Sequence, residues 1–407
     1  MLANPLPSHR RDPSARIGLR TAGRLSIALL LTLCAAEIHA EPFVYLANRA
    51  MRNFSVIDAD GYNVIASGPI GVEPIALVAN AATNKVFIQL TSSAGTKLQI
   101  LDATTYAVST EIQLTKTFSY TRSAPLAVTS DGSKVYVLTP GLISVIDPVA
   151  MRVVKTIDTD PSATSLALDQ SDGALYVANW GGSDGVAGIS IIDTAIDEIA
   201  EVINTDTFRP QQLAIHPDGA HLYMTGSTDG LNTREIYQVL DLNTFTLTSV
   251  KVNSSADSPP LSSLSKLVFN DDGSRLYFSG GDVWPFHGAI PFIEVDTASG
   301  DLLRVLTIPV GGNDLIYYVN KMVGATINNH FTLVIFLDER FRHEATQPPR
   351  VVFLDVVDGA VLKDLLYPNP PQTHGGFVIG DLMVPVVANG IQRQVKAKVG
   401  SGRNADK

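Results

Sequence analysis

Leu126-Ala127-Val128, Val135-Tyr136-Val137-Leu138, Ile143-Ser144-Val145-Ile146-Asp147 and Val153-Val154-Lys155-Thr156-Ile157 follow one another within a single stretch of the chain. Each is short and rich in β-branched or aromatic residues, the composition of strands. Ser130-Asp131-Gly132 separates the first from the second. Glycine there supplies the positive φ that a tight turn needs, and aspartate bonds the backbone of such turns through its side chain. Pro140-Gly141 separates the second from the third. The stretch therefore predicts four consecutive antiparallel strands.

The unit recurs. An apolar pair followed by aspartate closes a strand-like run at Val56-Ile57-Asp58, Ile100-Leu101-Asp102, Val145-Ile146-Asp147, Ile191-Ile192-Asp193, Val239-Leu240-Asp241 and Phe353-Leu354-Asp355. Glu294-Val295-Asp296 is a seventh copy with one apolar position replaced. Successive aspartates lie 44, 45, 46, 48, 55 and 59 residues apart. The Asp-Gly turn returns as Ser171-Asp172-Gly173, Pro217-Asp218-Gly219 and Asp271-Asp272-Gly273. A period of this length built from strands predicts an all-β, seven-bladed β-propeller with four-stranded antiparallel blades. The first unit begins at its second strand, so the ring needs an inner strand from elsewhere, since an open edge invites aggregation. Gly375 to Asp381 is the candidate. Pro385 makes Leu382 to Val387 a poor central strand.

The second strands Tyr45-Leu46-Ala47-Asn48, Tyr136-Val137-Leu138-Thr139 and Tyr176-Val177-Ala178-Asn179 resemble the Tyr-Val-Thr-Asn signature of the YVTN-repeat propellers. The resemblance covers roughly residues 44–310, and blades 6 and 7 drift from it. It implies a propeller fold, and a binding or scaffold role in preference to an enzyme.

The ends read differently. Arg10, Arg11, Arg16, Arg20 and Arg24 precede an apolar run from Leu25 to Ala36, followed by small residues at Ala35, Ala36 and Ala40. The run is too short to span a bilayer, which takes about 20 residues. The pattern predicts a cleaved signal peptide over residues 1–40, with cleavage after Ala36 or Ala40, and a periplasmic or secreted protein. Asp12-Pro13 after the arginine pair argues against twin-arginine export, and Leu33 before Cys34 argues against a lipoprotein. The propeller is expected over 41–389. A flexible basic tail is expected over 390–407, where Arg393, Lys396, Lys398, Arg403 and Lys407 occur without apolar periodicity.

Composition narrows the function. The chain of 407 residues is 45% hydrophobic and 17% charged, with a net charge of −10, and its one cysteine is Cys34. Removing residues 1–40 takes five of 30 basic and two of 40 acidic residues and leaves a net −13. Such a charge excludes nonspecific binding to nucleic acid or to anionic membranes. No further apolar run is long enough to span a membrane. Loss of Cys34 with the leader excludes a disulfide, a thiolate metal ligand, covalent c-type haem and a cysteine nucleophile.

In a four-stranded blade the first–second and third–fourth turns share one face, here the turn face. The second–third loops and the blade-to-blade connections share the other, the loop face. The turn face is expected to be structural, its aspartates bonding backbone N–H groups. The loop face is irregular. Trp180 and Asp184 fall in the second–third loop of blade 4, Arg234 in that of blade 5, Trp284, Phe286 and His287 in that of blade 6, and Arg340, Arg342 and His343 in that of blade 7. Long loops on a rigid scaffold carry function, and Trp and Arg are favoured at binding hot spots. These nine residues are the candidate surface for a protein, peptide or glycan partner in the cell envelope. No cofactor is expected.

Other patterns lack their context. Gly181-Gly182-Ser183-Asp184-Gly185 fits the serine-hydrolase G-x-S-x-G, but that motif needs a strand-to-helix turn and here joins two predicted strands. Asp58-Ala59-Asp60-Gly61 lacks the remaining acids of a calcium loop. His216, in Ile215-His216-Pro217-Asp218-Gly219, reads as a turn residue. His287, His343 and His374 are the alternative axial set for zinc or copper, without a spacing that fixes them. Arg340-Phe341-Arg342-His343 with the strand after it is weakly similar to a segment of quinone-cofactor amine dehydrogenase heavy chains. That similarity implies the alternative of a periplasmic oxidoreductase or its subunit with an axial site. Haem held by axial histidines, as in propeller nitrite reductase domains, lacks a cytochrome motif here.

Overall fold

The computed structural model describes residues 42–49, 51–115, 125–182, 186–228, 236–253, 264–280, 289–309, 316–328, 330–340, 350–366 and 378–383. They form seven sheets of four antiparallel strands. Blade 3 comprises Leu126–Val128, Val135–Thr139, Leu142–Asp147 and Arg152–Asp158, as its sequence predicts. The third strands of all seven blades end on the seven aspartates of the repeat. Outer strands face solvent, as the exposure along Glu198–Asn204 shows, whereas second and third strands are buried. Among the described residues no helix is long and apolar enough to cross a membrane.

Blade 1 takes its inner strand from the far end of the chain. Val378–Met383 pairs antiparallel with Phe43–Asn48, from Asn48↔Val378 to Phe43↔Met383. Val378 to Asp381 of the predicted closing segment lie in this strand, and Gly375 to Phe377 lie outside the described residues. The strand also takes in Leu382 and Met383, which sequence reasoning gave up to Pro385. The proline, which has no N–H to donate to a ladder, lies two residues past the strand's end. Each inner strand touches the inner strand of the next blade, from Val378–Met383 through Glu73–Asn80 around to Ile316–Ile327 and back. The ring is closed.

Seven apolar clusters lie in this ring, one at each blade-to-blade junction. Tyr45 packs between blades 1 and 2, Tyr136 between 3 and 4, Tyr176 between 4 and 5, and Tyr277 between 6 and 7. Val44, Leu46 and Ile57 meet Val334, Phe336 and Phe353 at the junction of blades 7 and 1. These second-strand tyrosines are thus wedges between blades. A fully buried side chain of this size contributes about 1.5–3 kcal/mol by leaving water. Glu294, the odd member of the repeat, is buried but not alone. Arg304 pairs with its carboxylate, Arg275 lies 3.8 Å away, and the Tyr277 hydroxyl donates to it at 3.4 Å. A buried charge persists only with such partners.

The seven aspartates build one turn seven times. In each, Oδ1 accepts the backbone N–H two residues on: Asp60 at 3.0 Å, Thr104 at 2.9 Å, Val149 at 2.8 Å, Ala195 at 2.8 Å, Asn243 at 2.8 Å, Ala298 at 3.1 Å and Val357 at 2.7 Å. The residue four after each aspartate is left-handed: Tyr62, Tyr106, Met151, Asp197, Phe245, Gly300 and Gly359, with φ between 54° and 76°. Only two of the seven are glycine, although the other five bear the steric cost of that region. Packing holds them there: the Tyr62 ring meets Phe353 edge-on at 4.9 Å.

Candidate functional site

On the turn face the turns are bonded to one another. Within a blade, the N–H after the repeat aspartate donates to the first turn: Ala103 to Asn84, Thr194 to Gly173, Leu242 to Ala220, Thr297 to Ser274 and Val356 to Phe331. Between blades, Asn80 Nδ2 donates to the Thr129 carbonyl at 3.0 Å, and Ser130 N–H to Gln170 at 2.7 Å. Lys134 Nζ lies 2.8 Å from Asp197, and the Tyr136 hydroxyl donates to the same carboxylate at 2.7 Å. Burial, and then the Asp197 carboxylate, push the Tyr136 phenol far above its ordinary value. The hydrogen bonds from Ala150 and Val149 to Asp147, from Thr244 and Asn243 to Asp241, and from Ser299 to Asp296 hold those carboxyls below theirs. This is the structural role that the sequence predicts for the turn aspartates.

The loop face does not repeat. Second and third strands are joined by residues 49–52, 93–94 and 140–141 in blades 1 to 3, but by 180–187, 229–235, 281–288 and 341–349 in blades 4 to 7. In blade 4 the start of the loop is built as a ledge. Asp160 Oδ1 accepts the Ser162 N–H at 2.7 Å. Ser162 in turn accepts the Gly182 N–H on its hydroxyl at 3.1 Å and the Trp180 N–H on its carbonyl at 3.3 Å. Gly181 is left-handed at φ 72°, and a Cβ there would sit 2.4 Å from Ala187 N, so only glycine fits. Arg209, from the inner strand of blade 5, donates to the Gly181 carbonyl at 2.9 Å and to that of Trp180 at 3.4 Å. Its guanidinium stands 5.9 Å from the Trp180 ring centroid, within cation–π reach. Both side chains are half-buried.

Inner strands begin on this face, and five carry a bulge soon after their start: at Pro74/Ala76, Ala163/Ser165, Pro210/Gln212, Leu264/Leu267 and Val319/Lys321. A bulge breaks the ladder and re-aims side chains. Threonines of the preceding blade take up the carbonyls left over: Thr164 donates to Gln211 at 3.2 Å and Thr225 to Ser265 at 2.6 Å. Lys321 of blade 7 reaches past blade 1 to the Leu77 carbonyl of blade 2 at 3.3 Å. Arg49 pairs with Glu73 through Nε at 2.9 Å. The inner strands thus carry Arg209, Lys266 and Lys321, and their one acid among the described side chains, Glu73, pairs with Arg49.

Of the nine residues predicted from sequence, Trp180 lies on the loop face as expected. Arg340 is the last residue of a strand, His330–Arg340, rather than part of a loop, because the hairpin of blade 7 is long. Asp184, Arg234, Trp284, Phe286, His287, Arg342 and His343 lie outside the described residues, as do Ser183 and His374. The G-x-S-x-G segment does join two strands, Ala174–Asn179 and Gly188–Asp193. Sequence reasoning missed Arg209, Arg49 and Lys321. Arg209 follows Phe208 at the start of its inner strand and Lys321 interrupts an apolar inner strand, and their one legible signal is a cation where the repeat predicts a core-lining strand. Among the described residues one group could hold a metal ion: His216, Asp218 and His221, on the turn face.

Solved structures share this architecture, two of them at full length of their own chains or nearly so. A Kuenenia stuttgartiensis hydrazine synthase aligns with a TM-score of 0.51 at 16% identity, over 73% of this chain and 96% of its own. A functionally unknown protein from Desulfotomaculum acetoxidans DSM 771 aligns at 0.55 and 13% identity, over 83% of this chain and 98% of its own. At such identities the likeness concerns the fold alone. No family model and no curated protein matches the chain.

Proposed function

We propose that the protein is an exported binding or scaffold protein of the YVTN-repeat type that receives a protein, peptide or glycan partner on its loop face. The observation that carries this reading is the asymmetry of the two faces. Seven near-identical turns repeat on one, several of them bonded to their neighbours, while the long second–third loops are confined to four consecutive blades on the other, with the Trp180–Arg209 pair at their edge. An aromatic ring beside a guanidinium combines large apolar area with a donor for carboxylate, phosphate or sugar oxygens. A cationic spot in a chain of net charge −10 orients an acidic group on the partner. Trp284, Phe286, His287, Arg234, Arg340, Arg342, His343 and Asp184 belong to the same proposed surface.

Export is part of the reading and rests on the basic start, the short apolar run and the small residues of 1–40. N-terminal sequencing of the mature protein is expected to begin at Glu37 or Glu41. For the binding role, a partner captured from the native envelope is titrated against Trp180→Ala, Trp284→Ala and Arg342→Ala on the loop face and Asp131→Asn on the turn face. A hot-spot truncation is expected to cost about 2 kcal/mol or more, while Asp131→Asn leaves affinity unchanged. Equal losses from both faces, or loss from the turn face alone, would overturn the assignment.

A further inference from the structure

We propose that His216, Asp218 and His221, in the first turn of blade 5, form a binding site for a divalent transition metal ion such as Zn²⁺. The three come from one hairpin, Ile215-His216-Pro217-Asp218-Gly219-Ala220-His221, yet their ligand atoms all lie within 4.8 Å of one another. Asp218 Oδ2 is 3.0 Å from His216 Nδ1 and 2.7 Å from His221 Nδ1. Tetrahedral zinc with bonds of about 2.0–2.2 Å separates its ligand atoms by about 3.3 Å. The two carboxylate–imidazole spacings need expansion by roughly 0.3–0.6 Å to admit the ion. Two imidazole nitrogens and one carboxylate oxygen are a donor set for zinc, copper or nickel rather than for calcium or magnesium.

The surroundings prepare His216 as a ligand. Its Nε2 lies 3.0 Å from the carbonyl of Gly273 in blade 6. A carbonyl only accepts, so Nε2 carries the proton and the neutral ring presents a lone pair at Nδ1. A backbone carbonyl behind the far ring nitrogen is the usual outer partner of a metal-bound histidine. The ring cannot turn away: it stacks on Tyr223 at 5.7 Å and meets Phe269 edge-on at 4.9 Å. That fixed lone pair faces the Asp218 N–H at 3.1 Å and the Asp218 carboxylate oxygen at 3.0 Å. A metal ion between the ring nitrogen and the carboxylate would take the place of the Asp218 N–H on that lone pair and be bonded by both groups. His221 is the more exposed ligand, with 38% of its side chain accessible against 15% for His216, so a coordination position remains open to solvent.

The site lies on the turn face, so it stands independently of any partner on the loop face. Bound metal would tie blade 5 to blade 6 through the His216–Gly273 contact. The test is isothermal titration of ZnCl₂ into the untagged mature chain, with melting temperature as a second readout. One ion is expected to bind per chain and to raise the melting temperature by mass action. His221→Ala, at an exposed position that leaves the His216 packing in place, is expected to weaken binding at least tenfold and to abolish the shift. His330→Ala is the control: His330 pairs with Asp355 at 2.9 Å without a second histidine, and its loss is expected to change neither readout. With Cu²⁺ as probe, electron paramagnetic resonance is expected to show coupling to two nitrogens in the parent and one in His221→Ala. No binding by the parent chain, or equal binding by His221→Ala and the parent, overturns the proposal.

Discussion

The two faces of this propeller are made from the same blades and obey different rules. On the turn face every third strand ends in aspartate, every aspartate accepts the N–H two residues on, and every turn places its fifth residue left-handed. Neighbouring turns then bond to each other, as Asn80 does to Thr129 and His216 to Gly273. On the loop face the second–third connections range from two to nine residues and share no sequence, and the contact of Arg209 with Trp180 has no repeat among the described residues. The difference teaches where the fold stores its regularity. Repetition sits where strands are turned locally, and variation sits where a connection need only span a gap between strands that the core already holds.

The hardest test of this picture removes the strand that makes the ring a ring. A chain ending before Gly375 loses Val378–Met383 and leaves Phe43–Asn48 as an open edge. Its folded state is expected to be lost or to aggregate on purification. A truncated protein with the full-length melting temperature would show that closure is dispensable and that the faces, not the ring, hold the blades. Next in size is Tyr136→Phe on the turn face. It deprives the buried Asp197 carboxylate of its 2.7 Å donor, and denaturant unfolding is expected to show a loss of about 1.5–3 kcal/mol.

A pair of glycines sharpens the contrast. Gly273 on the turn face and Gly71 on the loop face are both left-handed, at φ 74° and 80°. A Cβ on Gly273 would meet His216 Nε2 at 2.5 Å, whereas one on Gly71 meets nothing within 4 Å. Gly71→Ala is expected to show the conformational cost alone, about 1 kcal/mol, and Gly273→Ala distinctly more. Equal costs would mean that the turn face is no more tightly bonded than the other.

The smallest effect expected is on acid stability. Asp147, Asp241 and Asp296 have folded values below the ordinary carboxyl, through hydrogen bonds from their turns. A depressed carboxyl contributes stability that is full above its unfolded value, about 3.9, and is lost as pH falls through the folded value. Melting temperature is therefore expected to decline below about pH 4. Replacing these three aspartates together by asparagine is expected to flatten that decline, because asparagine keeps the acceptor without titrating. An unchanged slope would assign the acid sensitivity to other groups, such as Asp102, whose turn hydrogen bonds also hold its carboxyl below the ordinary value against the desolvation that raises it.

Legibility followed the range of the interaction. The seven aspartates, the Asp-Gly turns and the four strands of blade 3 were readable from sequence because each depends on residues within about five positions, where side-chain reach and backbone conformation decide the outcome. The left-handed Tyr62, Tyr106, Met151 and Phe245 were not readable. Local preference points to glycine there, and it is overridden by the turn's hydrogen bonds and by packing such as Tyr62 on Phe353. In the candidate site, Trp180 was picked out as an aromatic in a long loop, but its partner Arg209 was not, since the pair joins two blades.

The sequence by itself determined the repeat, its count of seven, the class of fold and the acidic character of the chain, because period, turn chemistry and charge are properties of composition and spacing. It also implied that one strand must come from elsewhere. Tertiary structure decided that Val378–Met383 is that strand and carries on to Met383, that Arg209 lies beside Trp180, that Lys321 crosses to Leu77, and that Gly273 stands behind His216. Each of these depends on which blades become neighbours when the ring closes. That is set by the apolar clusters at seven junctions acting together, and no local stretch of sequence contains it.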